Sequence, residues 1–85
     1  MTYTVYILES SMTGRLYIGQ TNNFERRLQE HIGNKVVSTR NRGPWLVLKT
    51  ILVETRTEAV GIEVKLKKMK NPARVKSFLL RNCPD

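Results

Sequence analysis

The chain has 85 residues, enough for one domain over residues 1–85 with a modest hydrophobic core. Fifteen lysines and arginines outweigh seven acids for a formal net charge of +8, a surplus that points to a polyanionic partner. No apolar run approaches the roughly 18 residues of a membrane span, no charged-then-apolar leader opens the chain, and the lone Cys83 excludes an internal disulfide framework. A soluble, cytoplasmic protein without a membrane partner is expected.

The charge is uneven. Residues 1–34 hold three bases and three acids, whereas residues 35–85 hold twelve bases and four acids. Thr4-Val5-Tyr6-Ile7-Leu8 and Leu16-Tyr17-Ile18-Gly19 are short alternating runs of β-formers separated by a turn-rich segment, which predicts a hairpin. With Leu8 opposite Arg15, Ile7 would face Leu16, Val5 would face Ile18 and Tyr6 would face Tyr17. One face is then wholly apolar, and the other carries two tyrosines with Thr4, Gly19 and Arg15 around them.

Asn22, with Glu25 three residues on, reads as the capping box of a first helix. Phe24, Leu28 and Ile32 supply its expected buried stripe, and Gly33-Asn34 ends it. Arg26 and Glu30 point away from that stripe, while Arg27 and His31 flank it one turn apart. A basic loop with Lys35, Arg40 and Arg42 follows. The apolar run Trp45–Val53 predicts a third strand, buried on both faces for much of its length.

Thr55 and Glu58 form a second capping box, opening a helix with Ala59, Ile62, Leu66 and Met69 on one stripe. Glu63 stands at that stripe's border, four residues before Lys67, where an i, i+4 ion pair is the plain expectation. Asn71 as N-cap and Pro72 at the first position start a third helix with Val75, Phe78 and Leu79 on its apolar face. Lys65, Lys67, Lys68, Lys70, Arg74 and Lys76 form an acid-free run expected to face outward. The ββαβαα order predicts an α+β fold. A right-handed crossover would carry the third strand over the first, leaving strand 1 central in a three-stranded antiparallel sheet flanked by helices.

Thr4-Val5-Tyr6, Tyr17-Ile18-Gly19, Phe24-Glu25-Arg26-Arg27-Leu28 with His31, Ser38-Thr39-Arg40, Pro44-Trp45, and Glu58-Ala59 through Glu63 to Lys67 together resemble the GIY-YIG endonuclease superfamily. The likeness is to its small stand-alone bacterial members, and only Thr4, where the first motif's name has Gly, departs from the pattern. The resemblance implies that Tyr6 and Tyr17 are the motif tyrosines, Arg27 the catalytic arginine, His31 a site histidine and Glu63 the single metal-binding carboxylate. Some relatives carry a further site asparagine, for which Asn71 and Asn82 both stand as candidates.

Chemistry gives those roles a physical reading. Hydrolysis of a phosphodiester needs an activated water, charge neutralisation at phosphorus and stabilisation of the leaving oxygen. One Mg²⁺ or Mn²⁺ on Glu63 suits an ion that takes few carboxylates and keeps its waters. Arg27 can fork two donors onto a phosphate. Tyr6 is the candidate base, directly or through water, provided that Arg15, Arg27 and the substrate-bound metal bring its proton affinity down from the ordinary tyrosine value near 10, and Tyr17 would orient water or phosphate. Arg15, Lys35, Arg40, Arg42, Lys67 and Lys70 are expected to contact the backbone of nucleic acid, DNA ahead of RNA, without reading sequence. Trp45 could stack on a base, though a core position is favoured. The leading expectation is a metal-dependent endonuclease, structure-selective or non-specific, in DNA repair or recombination. A weakly active or inactive nucleic-acid-binding module, and a subunit of a larger repair complex, are the alternatives.

Overall fold

A computed structural model of the protein describes residues 2–33, 44–69 and 71–82. Its elements are β1 (Tyr3–Ser10), β2 (Leu16–Thr21), α1 (Phe24–Ile32), β3 (Trp45–Val53), α2 (Arg56–Met69) and α3 (Pro72–Asn82). The strands form one antiparallel sheet in the order β2-β1-β3, with β1 central as the connectivity predicts.

The hairpin register differs from the expected one by two residues. Tyr6 stands opposite Gly19, Leu8 opposite Tyr17 and Ile7 opposite Ile18. The turn sets this pairing. β1 runs on to Ser10, whose N–H donates to the Arg15 carbonyl at 2.9 Å, while Gly14 N–H returns to the Ser10 carbonyl at 2.8 Å. Ser10 Oγ accepts from the amides of Met12 and Thr13, each at 3.2 Å, and Gly14 supplies the positive φ of 75° that closes the loop. Because a slip of two keeps every side chain on its own face, both tyrosines still share one face.

Val5, Ile7 and Ile18 project from the other face onto Ala59 and Leu66 of α2 and Val75 and Leu79 of α3, forming the core. Burying each larger aliphatic side chain stabilises the fold by about 1.5–3 kcal/mol before chain entropy is counted. Both helix starts behave as predicted. Thr55 Oγ1 accepts from the Glu58 amide at 3.2 Å and lies 3.0 Å from the Glu58 carboxylate, and Asn71 Oδ1 accepts from Ala73 N–H at 2.8 Å.

Three local expectations are corrected. The α1 cap is Asn23, accepting from Arg26 N–H at 3.2 Å, rather than Asn22. The inward stripe of α1 is Phe24, Arg27, Leu28 and His31, with His31 fully buried and Ile32 63% exposed. Phe24 and Leu28 stay inward, and the centre of the stripe shifts by about 50°, half a residue, towards Arg27 and His31. β3 is not buried on both faces: it is bonded to β1 alone among the described strands and leaves Leu46, Val47 and Leu52 exposed. A bulge opposite Ile7 and Leu8 leaves Leu48 unpaired but packed against the core.

Candidate functional site

The face opposite the core is built around Tyr6. A Cβ on Gly19 would lie 2.5 Å from the Tyr6 hydroxyl oxygen and 2.7 Å from its Cζ, so only glycine leaves room for the ring to cross β2. The phenol is thereby carried from the central strand towards the outer one. Phe24 packs against its ring at 5.5 Å between centroids, and Tyr17 at 6.3 Å with planes 29° apart. Tyr17 also meets His31 at 4.7 Å and Trp45, edge-on, at 6.5 Å. Trp45 therefore lies half-buried beside the tyrosines and outside the main core.

His31 Nε2 is 3.1 Å from the Tyr6 hydroxyl. Burial, then the Arg27 charge, lower the proton affinity of His31 below the ordinary histidine value, against an opposing pull from Glu30, so the ring is neutral near pH 7. The Arg27 guanidinium, which can only donate, acts on the same hydroxyl and favours its ionised form. Across the 3.1 Å contact a neutral imidazole either donates or accepts, and a Tyr6 proton aimed at Nε2 is one of the two arrangements. In that arrangement the remaining ring proton of His31 is on Nδ1.

The protein's own cations do not bring Tyr6 below the ordinary tyrosine value. Burial raises its proton affinity above the ordinary tyrosine value; the Arg27 hydrogen bond opposes this without overcoming it, and Tyr17 and Glu63 add to the rise. Tyr6 is a neutral phenol at pH 7. Arg27, held also by Glu30 at 3.2 Å, is charged throughout, its proton affinity raised chiefly by the Tyr6 bond.

Four of the sequence-derived site residues, Tyr6, Tyr17, Arg27 and His31, thus touch one another. Glu63 reaches the cluster only electrostatically. It sits on α2, which packs on the other face but lies along β2, and its side chain is 18% exposed at that edge. Its Oε2 accepts from Lys67 Nζ at 2.8 Å, the ion pair that helical spacing predicts. Among the described residues no three His, Cys, Asp or Glu side chains gather, which does not match a structural zinc site. A single carboxylate at a wet edge does fit Mg²⁺ or Mn²⁺, which retain water ligands.

The basic run is less free than expected. Lys76 binds Glu9 at 2.6 Å, Lys65 stands 4.8 Å over the Phe78 ring, and Lys67 holds Glu63. Arg15 is exposed beside Tyr17 and Lys67 at the rim of a cleft. Lys35, Arg40, Arg42 and Lys70 lie outside the described residues. Sequence reasoning missed Arg56. With Gln20, Thr21, Asn22, Arg26, Arg27 and the acidic Glu30 it lines a polar groove of about 300 Å³ beyond Arg27, and its guanidinium lies 5.2 Å over the Tyr3 ring. A signal existed: a cation in the first turn of a helix opposes the helix dipole, so Arg56 stands where helix stability alone would disfavour it.

Comparison with known proteins supplies the context for this cluster. Residues 2–76 match the family model described as the GIY-YIG catalytic domain. A UPF0213 protein of Nitratidesulfovibrio vulgaris is 42% identical over 65 residues, covering 75% of this chain and 58% of that protein. The chain thus spans little more than half the length of that relative. The UPF0213 protein BH0048 of Halalkalibacterium halodurans is 31% identical over 85 residues, covering 99% of this chain and 89% of the relative. A solution NMR structure of UPF0213 protein BH0048 from Bacillus halodurans superposes with a TM-score of 0.60 at 30% identity, over 99% of this chain and 89% of the other.

Proposed function

The chain belongs to the GIY-YIG family, and from that premise we propose that it is a metal-dependent endonuclease hydrolysing phosphodiester bonds in DNA. The family points to nuclease-type chemistry on a nucleic acid; DNA as substrate, the metal requirement and a role in repair or recombination are the finer parts of this reading. One observation carries it: a buried neutral phenol bonded to a neutral imidazole and acted on by the Arg27 charge, at an edge that also holds a carboxylate.

The residues divide the work. In the free protein the Arg27 charge acts on the Tyr6 hydroxyl. A phosphate that binds the Arg27 guanidinium is brought beside the phenol oxygen, whose lone pairs can accept a proton. Water attacks phosphorus and passes its proton to the Tyr6 oxygen, while Tyr6 passes its own proton to His31 Nε2. A new P–O bond forms, the bond from phosphorus to the leaving oxygen breaks, and no free phenolate is needed. His31 accepts the proton in a buried setting, and Glu30 offsets part of the charge it gains. Tyr17, fixed against His31 and Trp45, orients water or phosphate at the same face. Glu63 would hold the metal once Lys67 releases it, and the bound ion would supply Lewis-acid charge for the leaving oxygen.

The test is nicking of plasmid and branched DNA in Mg²⁺ or Mn²⁺ by wild type, Glu63→Gln and Arg27→Lys. Each variant is expected to lose about 10²–10³-fold in rate. Equal rates in all three would contradict an active nuclease. The Glu63–Lys67 ion pair favours one second reading, a binding module whose carboxylate is permanently neutralised. That reading gains if DNA binds with steep salt dependence and is never cut.

A further inference from the structure

At the start of β2 a second recess opens, a cleft of about 560 Å³ between that strand and the junction of α2 with α3. Its aliphatic lining is half-buried Leu16 with the almost fully buried Ile18 from β2, Leu66 from α2 and Val75 from α3 behind it. Its rim is polar and cationic, with Arg15, Tyr17, Lys67 and Asn71. Asn71 already spends its carboxamide oxygen on the cap of α3, which leaves the NH₂ group to donate. A recess of this size falls within the range of small-ligand sites. An apolar floor under a rim of two cations and an amide donor matches a nucleobase, with its flat apolar body and polar edge, attached to a phosphate.

The position identifies which base. Tyr17 belongs both to the cleft rim and to the cluster with Tyr6 and His31, and Lys67 joins the rim to Glu63. At the other end of β2 lies the groove with Arg26, Arg27 and Arg56. Six residues of β2 span about 20 Å, the length of a few nucleotides, and the tyrosine cluster lies part-way along the strand, on the face opposite Leu16 and Ile18. The geometry points to the cleft as a base-binding subsite, in which a nucleotide next to the scissile phosphate lodges out of its stack. A base held there cannot pair, so the favoured substrate is a strand with an unpaired nucleotide at the cut, whether a single strand, a flap or a gap edge. This inference rests on the nuclease reading and adds the substrate class to it.

The experiment uses the Glu63→Gln protein, so that substrate is not consumed, and follows methyl resonances during titration. A deoxynucleoside 5′-monophosphate is expected to shift the methyl signals of Ile18, Leu66 and Val75, and deoxyribose 5-phosphate is expected to leave them in place. A short single strand with one abasic position beside the cut should bind about tenfold more weakly than the intact strand, in proportion to the stacking lost. Loss of the base's effect on both the methyl signals and the binding would overturn the subsite. Wild-type nicking of the abasic strand as fast as the intact one would also overturn it, while leaving the nuclease reading standing. An absence of all nicking would count against the nuclease reading, and the methyl titration would still decide the cleft.

Discussion

On the sheet face that meets α2 and α3, the side chains are aliphatic and their contacts are non-directional; on the face that meets α1, each partner is fixed by a hydrogen bond or a ring contact. Val5, Ile7 and Ile18 need only volume and dryness from Ala59, Leu66, Val75 and Leu79. Tyr6 needs a glycine across the strand and a neutral imidazole within 3.1 Å, and the Arg27 charge acts on its hydroxyl. Both faces belong to the same strands, and alternation alone separates them. The core face stabilises the fold, and the tyrosine face holds titratable groups away from their ordinary proton affinities, which is where reactive sites are found.

The largest expected effect breaks the core face. Leu79→Ala removes a buried core side chain and should lower stability by about 2–5 kcal/mol, measured by urea unfolding. Nicking per folded molecule should be unchanged. A specific loss of nicking with stability intact would mean that the two faces are not separable in this way.

Gly19→Ala sharpens the comparison from the other side. The added methyl would meet the Tyr6 ring and hydroxyl at 2.5–2.7 Å, so the ring must move. Stability should fall by only about 1–3 kcal/mol, whereas the nicking rate should fall by roughly 10²-fold through loss of general acid–base catalysis. Retained activity in this variant would show that the ring's place over β2 is incidental.

A smaller effect appears in the pH dependence of stability. His31 has a lowered proton affinity in the fold, so the unfolded chain takes up the proton first as pH falls through the ordinary histidine value of 6.5. The unfolded state then binds more protons, and stability must drop on the acid side of that value. Melting temperatures of wild type should decline there, and His31→Gln should remove that part of the decline. An unchanged acid limb in the variant would show that His31 is not held neutral by the fold.

The two faces were legible in the sequence because alternation and helix spacing encode them. Val5, Ile7, Leu16 and Ile18 against Tyr6 and Tyr17 is a period-2 statement that survives any even slip of register. The slip itself was not legible from faces. It depends on how far β1 runs before turning, which Ser10 and Gly14 decide through local hydrogen bonds, and on Gly19 as the position that admits a ring opposite it.

Helix phase was less secure. Ile32 looked like the inward residue by hydrophobicity, yet His31 takes that place because its imidazole completes the Tyr6 hydrogen bond, a tertiary demand that a single-helix pattern does not carry. The burial of β3 misled for a related reason: its edge place was predicted, but an apolar run does not say whether another layer covers each face, and Leu46, Val47 and Leu52 stay exposed. Glu63 was found by helical position, and its partner Lys67 was equally predictable. The proton affinities of Tyr6 and His31 were not, because they follow from burial in three dimensions.

The most direct measurement of the central claim, that the neutral Tyr6 phenol is the reacting group on this face, is the nicking rate of Tyr6→Phe beside its melting curve. The variant keeps the ring, loses only the hydroxyl and leaves His31 Nε2 without its Tyr6 partner, so a modest cost of about 1–3 kcal/mol is expected with the fold retained. The account predicts a loss of about 10²–10⁴ in rate at temperatures where the variant is folded. A folded Tyr6→Phe protein that nicks DNA as fast as wild type would contradict it.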